Sequence, residues 1–159
     1  MKTVRQISAF FLAIVMALSL AACGASETTV VLRGDLTKEM DGIPSTDTWT
    51  LTAKGDVIQT MKEVVEYDLS DYDDETRALF TSTFESLIMG PAKEIDGLTC
   101  TSQMTDGVYS IELTVDCTGD AVKKAAAAGI LAVDDNDADF YSLKRTQSSL
   151  EQQGYKVVE

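Results

Sequence analysis

The dipeptide Asp106-Gly107 separates two runs, 98–104 and 108–117, in which apolar and polar residues alternate. Asp-Gly suits a two-residue hairpin turn, because both of its central positions need positive φ. If the turn is tight it fixes the pairing: Met104 faces Tyr109, Ser102 faces Ile111, Cys100 faces Leu113 and Leu98 faces Val115. One side is then almost wholly apolar, while Ser110, Glu112, Thr114 and Asp116 point away. A slip of one residue would reverse both faces, so the turn and the pattern support the same register. The chain is therefore expected to build an antiparallel sheet with one buried side.

Other segments read with similar physics. Residues 29–36 start apolar and β-rich, and 37–47 hold Gly42, Pro44 and several polar residues, which predicts a strand and then a loop. A second hairpin is predicted from the alternation over 48–53, a turn at Lys54-Gly55-Asp56 and a β-branched run over 57–67. Acids gather over 70–75, just before Ala78, Phe80, Phe84, Leu87 and Ile88, whose spacing marks one helical face; Gly90-Pro91 is expected to stop that helix. Asp71, Asp73, Asp74 and Glu75 fit the unpaired N–H groups of a first turn better than a cation site. An alanine-rich helix is predicted over 121–132. A last helix should be capped by Ser142, run through Gln153 with Leu143 and Leu150 on one face, and end at Gly154 with Tyr155 as its hydrophobic contact. Val157-Val158 would form a short closing strand. Together these elements describe an α+β domain: two hairpins plus an N-terminal strand in one antiparallel sheet, with about three helices packed on one face. Trp49, Tyr109, Phe80 and Phe84 are its expected core aromatics.

Residues 1–5 carry Lys2 and Arg5, and 6–22 contain no charge and are rich in Phe, Leu, Ile, Val, Met and Ala. That is the layout of a signal peptide, shorter than the roughly 20 apolar residues that span a bilayer. It closes on Leu20-Ala21-Ala22-Cys23, which resembles the lipobox of bacterial lipoproteins: a branched apolar residue, two small ones, and the cysteine that takes the diacylglyceryl group. The expected organisation is a removed signal peptide over 1–22, lipidated Cys23 with a short tether over 23–28, and one domain over 29–159. Fatty acyl chains such as palmitate contribute about 0.8 kcal/mol per buried methylene, so lipid on Cys23 would hold the domain at the extracytoplasmic side of the cell membrane.

Without residues 1–22 the chain keeps 11 basic residues against 26 acidic ones, a formal charge of −15. Such a balance argues against nucleic acid as a partner and against a polybasic mode of membrane attachment. The sequence has no histidine, which removes Ser-His and Cys-His catalytic pairs and histidine metal ligands together. No cofactor motif is present.

The cysteines left after lipidation are Cys100 and Cys117. An extracytoplasmic address favours a disulfide between them. The hairpin register opposes it, because Cys117 lies four residues, or about 13 Å, beyond Cys100's partner, whereas a bridge needs Cα atoms within about 7 Å. Both alternatives stand at this level. Asp134, Asp135, Asp137 and Asp139 form the densest acidic cluster and are candidate cation ligands. A helix-loop-helix calcium site, however, wants Gly after its third ligand and Glu at its twelfth position, where this chain has Phe140 and Thr146. Carboxylate pairs could also serve a hydrolase, but the sequence does not choose among 26 acids.

The order of lipobox, N-terminal strands turning at Lys54-Gly55-Asp56, helix, second hairpin, and a terminal stretch from Tyr141-Ser142-Leu143-Lys144 to Gln153-Gly154-Tyr155-Lys156 resembles the YehR-like lipoproteins, a family carrying a domain of unknown function. The resemblance spans nearly the whole chain. It implies a compact α+β domain, an antiparallel sheet with helices on one face, outside the cytoplasmic membrane, and it brings no catalytic residues. The leading expectation is a non-enzymatic binding or envelope-interaction module, with an envelope protein or a small ligand as partner. The alternatives are a divalent-cation-binding lipoprotein using 134–139 and a carboxylate-dependent envelope hydrolase.

Overall fold

The structure, a computed structural model, describes residues 26–131 and 140–158. The chain runs β1 (Glu27–Asp35), β2 (Ser45–Lys54), β3 (Val57–Asp68), α1 (Asp74–Phe84), a π-helical turn (Glu85–Met89), α2 (Gly90–Ala92), β4 (Leu98–Thr105), β5 (Val108–Asp116), α3 (Ala121–Ala127), α4 (Leu143–Gln152) and β6 (Lys156–Val158). The strands form one sheet in the order β4-β5-β3-β2-β1-β6, and each neighbouring pair is antiparallel. This is the α+β architecture expected from the sequence.

The β4–β5 hairpin has the expected register, Met104 opposite Tyr109 through Leu98 opposite Val115. Its turn is made by Asp106 and Gly107 at φ 51° and 84°, the doubly left-handed geometry that Asp-Gly tolerates. Gly107 is also packed tightly: a Cβ there would lie 2.8 Å from the Ser70 Cα. Cys100 pairs with Leu113, Cys117 lies beyond the strand end, and both thiols are free. The two thiols are unbridged in this structure, as the register alternative has it. Burial pushes the Cys117 thiol up to about 12, as suits a sulfur that packs as a small apolar group.

Alternation decides the faces of the sheet. Leu32, Trp49, Leu51, Ala53, Met61, Leu113 and Val115 point inward and join Leu98, Val122, Ala125, Leu143 and Leu150 in the main core. A second cluster of Tyr67, Leu69, Tyr109 and Ile111 receives Phe80 and Phe84 from α1. Phe80 stacks on Phe84 with centroids 4.7 Å apart, and its edge meets Tyr67 at 5.1 Å, so aromatic geometry sets where α1 docks. The opposite face carries Thr46, Thr48, Thr50 and Thr52 along β2, with Lys62 and Glu112 bridging at 2.7 Å across β3 and β5.

Two helix boundaries differ from expectation. Asp73 caps α1 by accepting the Thr76 N–H at 2.8 Å, but the chain does not stop at Gly90-Pro91. Proline lacks an N–H and its ring crowds the carbonyl four residues back. The backbone avoids this by widening into the π turn, where Gly90 N–H donates to Glu85 five residues earlier, and then continues into α2. The alanine-rich helix is shorter than expected, because Gly129 adopts φ 72° just past its C-terminus.

Candidate functional site

Strand β2 begins at Ser45, within what the sequence suggested was a loop, and its inward positions are Ser45, Asp47, Trp49, Leu51 and Ala53. Asp47 therefore faces the core and is 2% exposed. Its register partners are Gly34 on β1 and Val65 on β3, while Trp49 lies opposite Leu32 and Glu63. Two carboxyl groups from adjacent central strands, Asp47 and Glu63, thus meet diagonally on the inner face.

Donors converge on Asp47. The Tyr155 hydroxyl donates to its Oδ2 at 2.6 Å, and the indole N–H of Trp49 donates to the same oxygen at 2.8 Å. Oδ1 has no N–H or hydroxyl donor among the described residues. The Glu63 carboxyl stands at the diagonal position on β3, and a hydrogen bond between the two acids would require one of them to carry a proton. Burial first, then the Asp47 charge, push Glu63 up to about 8. Burial raises Asp47 as well, against the lowering effect of its hydrogen bonds from Tyr155, Trp49 and Glu63. Tyr155 is pushed up by burial and by Asp47, which keeps its hydroxyl a donor.

Tyr155 reaches Asp47 because β1 has a glycine beneath it. A Cβ on Gly34 would stand 2.7 Å from the Tyr155 ring. The ring lies directly against the β1 backbone, and β6 follows at once, pairing Lys156 to Val158 with Arg33 to Val31.

A second polar junction holds the other end of α4. Ser142 caps the helix as expected, accepting the Arg145 N–H at 3.3 Å. Asp56, in the β2–β3 turn, adds a contribution from a distant part of the chain: its carboxylate accepts the Ser142 hydroxyl at 2.8 Å and the Lys144 N–H at 3.0 Å. The Asp56 carbonyl takes the Leu143 N–H, and Ile58 N–H donates to the Tyr141 carbonyl. The Lys144 amide and the Ser142 hydroxyl hold the Asp56 carboxyl below its ordinary range. The two motifs that carried the family resemblance, Lys54-Gly55-Asp56 and Ser142-Leu143-Lys144, therefore meet in space.

An open groove of about 340 Å³ lies at the end of the sheet where β1 and β3 finish, lined by Asp35, Thr37, Pro44, Ser45, Thr46, Glu66, Asp68 and Val108. Its acids are engaged locally: Asp35 accepts the Thr37 N–H, Asp68 accepts the N–H and hydroxyl of Ser70, and Glu66 accepts the Thr46 hydroxyl. Among the described residues no group of acids or cysteines is arranged to hold a metal ion. Asp134, Asp135, Asp137 and Asp139, and the lipobox Leu20 to Cys23, lie outside the described residues.

Sequence reasoning missed the Asp47–Glu63 pair. Extending the alternation of 48–53 backward by one step would have placed Asp47 inward. The phase of β3 is hidden by a bulge: Thr52 pairs with Thr60 but Ala53 with Ile58, so Ile58 and Met61 are both inward although three residues apart.

No protein-family model matches the chain, and no curated protein matches it. Among solved structures it is similar to the Escherichia coli YehR protein, determined by NMR, with a TM-score of 0.65 at 16% identity over 85% of this chain and 93% of that one. It is also similar to a protein from Streptococcus pneumoniae TIGR4, again by NMR, with a TM-score of 0.56 at 14% identity over 99% of both chains. The chain has a YehR-like fold.

Proposed function

We propose that this chain is an extracytoplasmic lipoprotein of the YehR-like kind, cut before Cys23, held to the cell membrane by lipid on that cysteine, and acting as a non-enzymatic binding or envelope-interaction module. The observation that carries the reading is the lipobox Leu20-Ala21-Ala22-Cys23 placed only four residues before the first residue of β1. So short a spacer reaches about 14 Å at most, which would keep the sheet close to the bilayer. Because β1 starts beside Lys54 and ends beside Thr46, the anchored end carries the β2–β3 turn. The open groove would lie about 30 Å away, the length of nine extended residues. A partner in the envelope would meet that outer end first.

Labelling bacteria that express the full chain with an alkyne fatty acid tests the anchor: Cys23 should become labelled, and Cys23→Ala should lose the label and leave the membrane fraction. An unlabelled, secreted wild-type chain would refute the anchor. Native mass spectrometry of the extracted protein tests the binding role, with a reproducible added mass or a crosslinked envelope protein as the expected result. Saturable turnover of peptidoglycan or polysaccharide, abolished by replacing a carboxylate, would refute the non-enzymatic reading.

A further inference from the structure

The two edges of the sheet are built differently. On one side the strap over 154–158 lays β6 beside β1 and clasps Tyr155 between Gly34 and Asp47. The edge strand it supplies is only three residues long and carries Lys156. On the other side lies β4, which runs for eight residues, Leu98-Thr99-Cys100-Thr101-Ser102-Gln103-Met104-Thr105, with no charge, no proline and an unbroken register against β5. Proteins usually protect an edge with a lysine, a proline, a bulge or a very short strand. Strand β4 has none of these.

The backbone phase of β4 is fixed at its start. The Asp116 N–H donates to the Gly97 carbonyl, whereas the Leu98 N–H turns away to Ile95. In the alternation of an antiparallel ladder, odd-numbered residues therefore bond β5 and even-numbered ones turn their N–H and C=O outward. The outward groups of Cys100, Ser102 and Met104 meet no backbone partner among the described residues. The side chains of these three lie on the inner face, where Cys100 is half-buried and Met104 is 40% exposed. Between them Ser102 donates its hydroxyl to Glu85 of the π turn at 3.3 Å.

Charge decides what can pair here. Glu85 stands over the middle of the edge, Asp96 two residues before its start and Asp106 at its turn, while Lys93 and Glu94 offset each other. Glu112, behind the edge on β5, is held by Lys62. A second copy pairing about Ser102, so that the three outward residues face one another, would bring two Glu85 carboxylates together across its twofold axis. A basic residue opposite Ser102 would meet Glu85 instead.

We propose that β4 accepts an extended, antiparallel segment of a partner whose alternate positions read apolar, basic, apolar. The apolar side chains lie beside Cys100 and Met104 on the inner face, and a lysine or arginine opposite Ser102 pairs with Glu85; the residues between them are polar and stand beside Thr101 and Gln103 on the outer face. Main-chain bonds to three residues supply the attachment, and Glu85 supplies the selection. The site lies across the sheet from tethered β1 and apart from the groove, so it holds or fails independently of the lipid anchor.

A suitable probe is a blocked heptapeptide in which threonine alternates with valine, lysine and valine, added to the isotope-labelled full chain in a non-ionic detergent. Amide exchange of Cys100, Ser102 and Met104 should slow about tenfold or more at saturation, while that of Thr101 and Gln103, already bonded to β5, changes little. Replacing the peptide's lysine by glutamate should weaken binding about tenfold or more, and Glu85→Lys in the protein should reverse that preference. Met104→Pro removes an outward N–H without touching a β5 bond, as edge strands tolerate, and should lose the peptide. If that variant does not fold, a peptide N-methylated on its valines and lysine makes the same test on the parent, because it keeps the charge and cannot complete the ladder. The assignment is overturned by absent protection, by equal binding of the N-methylated peptide or by indifference to Glu85→Lys. Outward amides protected without peptide at high protein concentration would also overturn it, as self-pairing.

Discussion

Replacing Gly34 by alanine probes the contact on which the Tyr155 clasp depends. Gly34 is not among the glycines with positive φ, so alanine fits its backbone, and in the unfolded chain alanine is the less flexible residue. That alone would stabilise the protein by about 0.4–1 kcal/mol. The new Cβ, however, would stand 2.7–2.9 Å from three atoms of the Tyr155 ring. Ordinary separation requires the ring to retreat by about 0.7 Å or more. A ring pinned at its hydroxyl by a 2.6 Å bond to Asp47 cannot retreat that far and keep the bond. A hydrogen bond to a charged group contributes about 1.5–3 kcal/mol. The net result should be a loss of about 1–2 kcal/mol, equivalent to a fall in Tm of roughly 3–8 °C for a domain of this size. Urea unfolding monitored by Trp49 fluorescence and by circular dichroism measures it. The cost should shrink in a Tyr155→Phe background, with a coupling of about 1 kcal/mol between the two sites. A Gly34→Ala protein as stable as the parent, or a cost fully additive with Tyr155→Phe, would refute the reasoning.

Three further outcomes follow from the same geometry. Asp56→Ala should lower the melting temperature and speed exchange at the start of α4, because the Ser142 hydroxyl and Lys144 amide lose their acceptor; unchanged exchange over 142–146 would contradict the junction. Stability should fall as pH rises from about 4.5 to about 8, since folded Glu63 retains a proton that unfolded Glu63 has released, and Glu63→Gln should flatten this limb. On the acid side the sign reverses: Asp35, Asp56, Asp68, Asp73 and Asp116 are all lowered by hydrogen bonds, so their contribution is lost as pH falls through the carboxylate range. Under non-reducing conditions both Cys100 and Cys117 should alkylate once unfolded, and in the folded protein the half-buried Cys100 should react well before Cys117; a disulfide-linked 98–117 peptide in the native protein would overturn the unbridged arrangement.

The legible parts of the fold are those where one local signal fixed many positions. Asp106-Gly107 determined a turn, the turn determined the register, and the register placed eight side chains correctly. Ser142 and Gly154 bracketed α4 for the same reason, since caps are chemistry between near neighbours. What escaped were features whose causes are far apart in the chain or break a period. The β2–β3 bulge changes which residues of β3 face inward, and with that phase hidden Glu63 could not be assigned to the inner face. Asp47 was hidden by its own type, because an aspartate beside Pro44 and Ser45 suggests a loop. Its burial is made tolerable by Trp49 two residues on and by Tyr155, 108 residues later. The passage of the helix through Gly90-Pro91 was unreadable because proline normally ends a helix, and the π turn that rescues it is rare.

The residues that made the chain recognisable turn out to share one structural task. Asp56 of the first motif binds Ser142 and Lys144 of the second, fixing the start of α4, and Tyr155 at the end of the second motif returns the chain to Asp47 across Gly34. Each of these contacts closes a long loop, so a few polar atoms align the C-terminal helix and strap with the first hairpin. These interactions specify where elements go and not what they bind. Residues that determine a partner should then lie away from this junction, where side chains can vary without disturbing α4. The open groove beside Asp35 and Glu66 meets that condition.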